Sequence, residues 1–178
     1  MSAAPIPAPI PADAIGAAVA AARHFLRSEG TGEQALLEQL AASAIQVGEA
    51  FTGLLLIRRA VDEAIPVAPG WRLLAHAPVY AITGVTGLPA AGYAIDIDGD
   101  GCGWVRVTQP GAATRVTVTY RAGLAAGWHD LPAPIAQATV ALIAHLHDDR
   151  GGATMPPAAV AALWRPYRRL RLVAERRA

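Results

Sequence analysis

Residues 114 to 147 read TRVTVTYRAGLAAGWHDLPAPIAQATVALIAHLH, and the two halves of this stretch obey different periods. From Thr114 to Tyr120 the side chains alternate. Val116, Val118 and Tyr120 share one face, and Arg115, Thr117 and Thr119 share the other, the pattern of a half-buried strand. The run LPAP at 131 to 134 breaks that pattern and opens a helix. From about Ala133 to His147 the helix is apolar nearly all round, with Ile135, Val140, Leu142, Ile143 and Leu146, which predicts a central buried element. A half-buried strand feeding a buried helix predicts an α+β domain.

The flanking sequence fits this fold. The opening APIPAPIPA alternates proline with small or apolar residues, so residues 1 to 12 read as an extended, proline-rich arm. An alanine-rich helix follows from Asp13, its expected N-cap, to Ser28, and Gly30 ends it. A second helix spans about Glu33 to Phe51, where Leu37, Leu40, Ala44, Val47 and Phe51 step by three and four. Thr52 and Gly53 stop it. Between them and residue 120, LLLIRRAV, WRLLAHAPVYAITGVTGL, YAIDI, WVRVT and TRVTVTY are β-rich runs separated by Gly, Pro and Asp. Gly151, Gly152, Pro156 and Pro157 form a joint before a last basic helix, PAAVAALWRPYRRLRLV, which Pro166 is expected to kink. The expected organisation is therefore an arm (1 to 12), a core domain (13 to 150), and a joint with a basic helix (151 to 178). The core is a helical bundle carrying a small antiparallel β portion.

Composition narrows the function. The chain has 178 residues, 53% of them hydrophobic, and its mean hydropathy is +0.32. That suffices for a buried core and argues against overall disorder. No run approaches the ~18 uninterrupted apolar residues of a membrane span, and no signal-peptide pattern opens the sequence. A cytoplasmic origin without a membrane partner is expected. Cys102 is the single cysteine, so neither an internal disulfide framework nor a cysteine zinc cluster is available. Lysine is absent beside abundant alanine and arginine, which fits a GC-rich bacterial host. Residues 1 to 149 hold eight arginines against 13 acidic residues, a balance of −5; residues 150 to 178 hold seven arginines against Glu175, a balance of +6. A molecule so polarised suits nucleic acid or an acidic protein surface.

The chemical motifs are weak. Asp96, Asp98, Asp100 and Gly101 reproduce the first half of a calcium loop, but its twelfth position, where a bidentate glutamate belongs, is Val107. The stretch reads instead as a hairpin turn between YAIDI and WVRVT. In HLHDD, His145 and His147 point to opposite sides of a helix, and His145 with Asp149 supplies only two ligands. A metal-dependent hydrolase is therefore disfavoured. His129 and Asp130 lie in a loop with no nucleophile pattern beside them. No cofactor is expected. The C-terminal arginines are the strongest feature, and they fit either a nucleic-acid-binding accessory protein or a protein-docking helix.

Taken in order over residues 34 to 171, the elements resemble the head-to-tail connector (adaptor) family of long-tailed phages and gene transfer agents. Phe51, Thr52, Gly53, Leu56 and Ile57 hold the family's "Y-T-G-R-x-L-I" turn, with Leu54 in place of the arginine. LLAHAPVYAITGV is similar to its "L-P-x-x-P-V-x-x-I-x-S-V" segment, although His76 and Ala77 replace part of the proline-rich entry. Val118, Tyr120, Ala122, Gly123, Pro132, Ile135, Ala138, Leu142, His145 and Arg150 fall on "V-x-Y-x-A-G-Y … V-P-x-x-I-x-x-A-I-x-x-L-x-x-H-x-Y-x-x-R". Leu163, Pro166, Tyr167 and Arg168 match the closing "L-L-x-P-Y-R".

The resemblance implies a non-enzymatic, structural ring component, usually of twelve subunits, in the neck of a virion or phage-like particle assembled in the bacterial cytoplasm. It would sit under the portal protein, receive a neck (stopper) or tail-completion protein below, and continue the DNA channel through its lumen. The C-terminal segment would dock on the portal through Leu163, Trp164, Arg165, Tyr167, Arg168, Arg169, Arg171, Arg176 and Arg177. Removing residues 157 to 178 is then expected to abolish portal binding and leave the core folded. The arm lies outside the resemblance and is expected to pack on a neighbouring subunit.

Overall fold

The computed structural model describes residues 5–27, 32–148 and 156–169. Among the described residues there are four α-helices: α1 (Ala12–Leu26), α2 (Gln34–Thr52), α3 (Ala133–Asp148) and α4 (Ala158–Trp164). The first three pack on one another around α3 as the central element, and α4 closes against α3 and α2. Helix α1 turns Ala14, Ala18 and Ala22 inward at a spacing of four, so its backbone can lie close to its neighbours. Leu37, Ala41, Ala44 and Ile45 of α2 meet Ile135, Ala138, Leu142 and Ile143 of α3 in the same core. Burial of each large aliphatic side chain there contributes roughly 2 kcal/mol.

Helix α1 begins at Ala12, with Pro11 at the N-cap rather than the expected Asp13, and no side chain caps it. The stop at the end of α2 is as read. Gly53 takes φ +72° and donates its N–H to Glu49 O at 2.9 Å. The Thr52 hydroxyl donates to Gly48 O at 2.8 Å and accepts the Leu54 N–H at 3.3 Å. This turn aims the chain out of the bundle and into the sheets.

The strands are β1 (Ile6–Pro7), β2 (Arg59–Pro66), β3 (Arg72–Leu73), β4 (Val79–Thr86), β5 (Tyr93–Ile97), β6 (Gly103–Val107) and β7 (Arg115–Ala122). They form two antiparallel sheets, β1-β2-β7-β4 and β3-β6-β5. In β7 the alternation predicted for residues 114 to 120 holds: Val116, Val118 and Tyr120 are buried. Val105 of β6 joins them in a second core, so the small sheet lies face to face with the large one. Two register shifts bend β4 at the free edge of the large sheet, which discourages uncontrolled edge pairing.

Ile6 pairs with Asp62 and Pro7 with Val61, so the described part of the arm forms an edge strand of its own chain's sheet. An edge position tolerates its prolines.

Two buried polar pairs join the layers. Arg59, at the start of β2, makes a bidentate pair with Glu49 of α2 (2.6 and 2.8 Å), and the same carboxylate accepts the Leu56 N–H at 2.9 Å. The Tyr120 hydroxyl donates to Glu63 Oε2 at 2.8 Å, where the Ala75 N–H also donates, and it accepts the His76 N–H at 3.2 Å. Tyr120 thus pins the segment between β3 and β4 over the second core. Tyr120→Phe keeps the ring and removes one donor from a buried carboxyl, so a loss of about 1–3 kcal/mol is expected in denaturant unfolding. An unchanged midpoint would show that the hydroxyl is dispensable.

Candidate docking surface

Helix α4 stops at Trp164, short of the helix expected to run on through residue 173. Pro166 cannot donate an amide hydrogen, and Arg165–Tyr167 form a single 3₁₀ turn. Arg168 is then extended, with φ −67° and ψ 120°. Pro166 therefore ends the α-helix instead of kinking it, and the described part of the segment shows no helical stripe of arginines beyond Arg165. The Arg169 N–H donates to Thr52 O at 2.7 Å, over the C-terminus of α2, where the helix dipole favours a cation. Its guanidinium donates to Asp100 O in the β5–β6 turn. The described chain thus leaves between the end of α2 and an acidic hairpin.

The expected docking residues divide. Arg165 and Arg168 are exposed, and Arg168 lies over the Phe51 ring at 5.8 Å. Leu163, Tyr167 and Arg169 are half-buried. Trp164 is 0% exposed: its ring meets Phe51 at 5.7 Å and fills the space left by Gly48. It serves the core and presents nothing to a partner. Its spacing of four from buried Val160 carries that signal in the sequence, where the surrounding arginines obscured it. For the same reason α4, which carries Val160 and Trp164, belongs to the core. Arg171, Arg176 and Arg177, like Asp149, Arg150, Gly151 and Gly152, lie outside the described residues.

The Asp-rich stretch is a turn, as read. Asp98 Oδ1 accepts the amides of Asp100 (3.0 Å) and Cys102 (2.8 Å), and Oδ2 accepts the Trp104 indole at 2.9 Å. The Trp104 and Cys102 hydrogen bonds hold its carboxyl below the usual carboxylate range. Gly101 takes φ +71° and rests on Pro78. Among the described residues no group of three or more His, Cys, Asp or Glu side chains comes together to hold a metal ion. His129 and Asp130 belong to the 3₁₀ turn before α3, where Asp130 accepts the Gly127 N–H at 3.1 Å.

In HLHDD, His147 bonds outward to Glu33 Oε2 at 3.0 Å, tying the end of α3 to the start of α2. The Glu33 hydrogen bond, and then Asp148, raise its pKa. A folded pKa above the unfolded value gives stability that is full below the ordinary histidine range, about pH 6.5, and lost as pH rises through the folded value. The gap in stability between wild type and His147→Ala is therefore expected to be largest near about pH 6 and to shrink by about pH 8, staying at or below ~1 kcal/mol for this partly exposed pair. A gap independent of pH would remove the charged pair from the account.

No protein-family model and no curated protein matches the chain. Solved structures do. A chain in the neck of an empty gene transfer agent particle, computed with C6 symmetry, is 27% identical over 97% of this chain and 100% of its own, with a TM-score of 0.76. A chain in the neck of the native gene transfer agent particle, computed with C12 symmetry, is 28% identical over the same shares, with a TM-score of 0.72. A chain of the native gene transfer agent virion is 27% identical over 96% of this chain and 98% of its own, with a TM-score of 0.70. The likeness covers nearly the whole chain in sequence and fold, and the resemblance to the head-to-tail connector family read from the motifs is borne out.

Proposed function

We propose that this chain is a structural subunit of a particle neck, the adaptor ring that joins a DNA-filled head to a tail. Copies form a ring under the portal protein, a neck (stopper) or tail-completion protein binds below, and DNA passes through the lumen. The observation that carries this reading is the likeness to gene transfer agent neck chains over 97% of the sequence, at 27–28% identity. The C12 symmetry of the native neck supports a ring of twelve. No helix among the described residues is long and apolar enough to cross a membrane, and the role needs none.

The C-terminal segment is the part we assign to portal docking, through Arg165, Arg168 and the arginines beyond residue 169. The exit of the chain over the end of α2 gives that segment a fixed starting point. Electron microscopy of particles from a strain lacking the gene tests the whole reading. Filled or leaking heads without tails, beside free tails, are expected. Normal tailed particles would overturn it and turn attention to nucleic-acid binding by the arginine tail, whose signature is strong salt dependence.

A further inference from the structure

The β sandwich turns two different faces to solvent, on opposite sides of the second core. On the large sheet, Tyr80 is 62% exposed, with Arg58 stacked on its ring at 3.9 Å and exposed Arg121 on the neighbouring strand. No described carboxylate lies within ion-pair distance of either arginine. A notch of about 380 Å³ opens beside them, between this end of the sheet and Ala8, Pro9 and Pro11 of the arm. On the small sheet, Trp71 and Leu73 are 42% and 43% exposed, and Trp104 stands opposite both Leu73 and Asp96. A tryptophan- and leucine-bearing face with an arginine on its border has the composition of an interface centre.

The levels of charge also correspond. Arg58, Tyr80 and Arg121 lie at the end of the sandwich nearest the helices, where β2 and β4 begin beside Ala122. The β5–β6 turn lies at that same end: the Val79 N–H donates to Gly101 O at 2.8 Å. Asp96 and Asp100 are exposed there, on the small-sheet side. Their carboxylates carry no hydrogen bond or ion pair within the described residues. At the far end Arg106 is stacked on Trp71 at 5.1 Å and Arg115 donates to Ala64 O.

Copies in a closed ring meet through two unlike patches, one on each side of the subunit. Rotation about an axis running along the strands brings the small-sheet face of one copy against the large-sheet face of the next, at the same level. Acidic Asp96 and Asp100 then meet basic Arg58 and Arg121. We propose that neighbouring copies join in this way: the Trp71–Leu73–Trp104 face seats on the Tyr80 face, and the two charge pairs fix the level. This rests on the ring reading above and names the surface that builds the ring.

Charge reversal on particles purified from the producing host tests it. Arg58→Glu with Arg121→Glu, and separately Asp96→Arg with Asp100→Arg, should each lower the copies of this protein per particle about tenfold or more, because charges facing each other across an interface couple strongly. Combining all four substitutions should restore incorporation. Asp96, Asp100 and Arg121 are exposed and Arg58 is half-buried, so unchanged thermal melting of the isolated proteins checks that each variant folds. Reversed proteins incorporated at the wild-type level, or a fourfold variant as poorly incorporated as either pair, would overturn the pairing while leaving the neck reading intact. Wild-type protein absent from particles would overturn the neck reading, and this inference with it.

Discussion

Replacing Gly123 by alanine is expected to abolish folding, the largest effect of any single methyl group in this chain. Gly123 follows β7 at the point where the sandwich meets the helical bundle. Its N–H donates to Pro78 O at 2.8 Å, and the next residues run against the segment between α2 and β2: Leu124 N–H to Leu55 O at 2.8 Å and Ala125 N–H to Leu56 O at 3.1 Å. In return, the Arg58 N–H donates to Ala125 O at 2.8 Å. These bonds draw two backbones together so closely that a Cβ on Gly123 would lie 2.3 Å from Arg58 Cα and 2.4 Å from Arg58 N. Backbone cannot swing aside as a side-chain tip can. The φ of +148° adds strain for any L side chain. The combined cost exceeds about 4 kcal/mol, a large part of a domain's net stability. Gly84 of β4 is the control: a Cβ there meets nothing within 4 Å, and Gly84→Ala should stay within about 0.5 kcal/mol. Soluble yield and denaturant unfolding compare the two. A Gly123→Ala protein with a near-native midpoint would mean that the joint is far softer than its hydrogen bonds imply.

Gly123 shows what sequence reading reaches in this fold. The alternation of Val116, Val118 and Tyr120 and the apolar girth of α3 are local periods, and both elements stand where those periods put them. The "A-G" step after Tyr120 is visible as a motif match, but its reason is a crossing with Arg58, remote in sequence. The Glu63–Tyr120 pair spans 57 positions and the Glu49–Arg59 pair spans ten, so neither has a local signature. The C-terminal segment misled for another reason. Charge dominates its composition, whereas burial of Trp164 follows from a space made by Gly48 in α2, which only the packed bundle reveals. The arm was legible as extended, and its partner was not. An edge strand of two residues is chosen by register with Val61 and Asp62, not by its own sequence.

Trp164→Ala is expected to cost about 3–5 kcal/mol, the range for emptying a large buried aromatic site. Three residues of α2 and α4 shape the site of this ring. Phe51 tilts against it at 5.7 Å, Gly48 leaves room for it, and Val160 lies one turn earlier on the same buried side of α4. A Cβ at Gly48 would lie 3.1 Å from the indole, so Gly48→Ala should also destabilise, and by less, because the ring can shift a few tenths of an ångström. Trp164→Phe should cost less than Trp164→Ala, since it keeps most of the apolar contact and removes a buried indole N–H that has no hydrogen-bond partner among the described residues. This core role decides how portal docking can be tested by truncation. Removing residues 157 to 178 takes away Val160 and Trp164 together, so loss of binding by that protein would report a damaged bundle. Removing residues 170 to 178 leaves α4, the 3₁₀ turn and the Arg169 contacts to Thr52 and Asp100 in place. That shorter protein is expected to melt within about 0.5 kcal/mol of wild type and to lose portal binding. If it melts normally and still binds, docking does not reside in the terminal arginines. If it melts as badly as Trp164→Ala, the last nine residues belong to the core as well, and the boundary between fold and docking segment moves to the end of the chain.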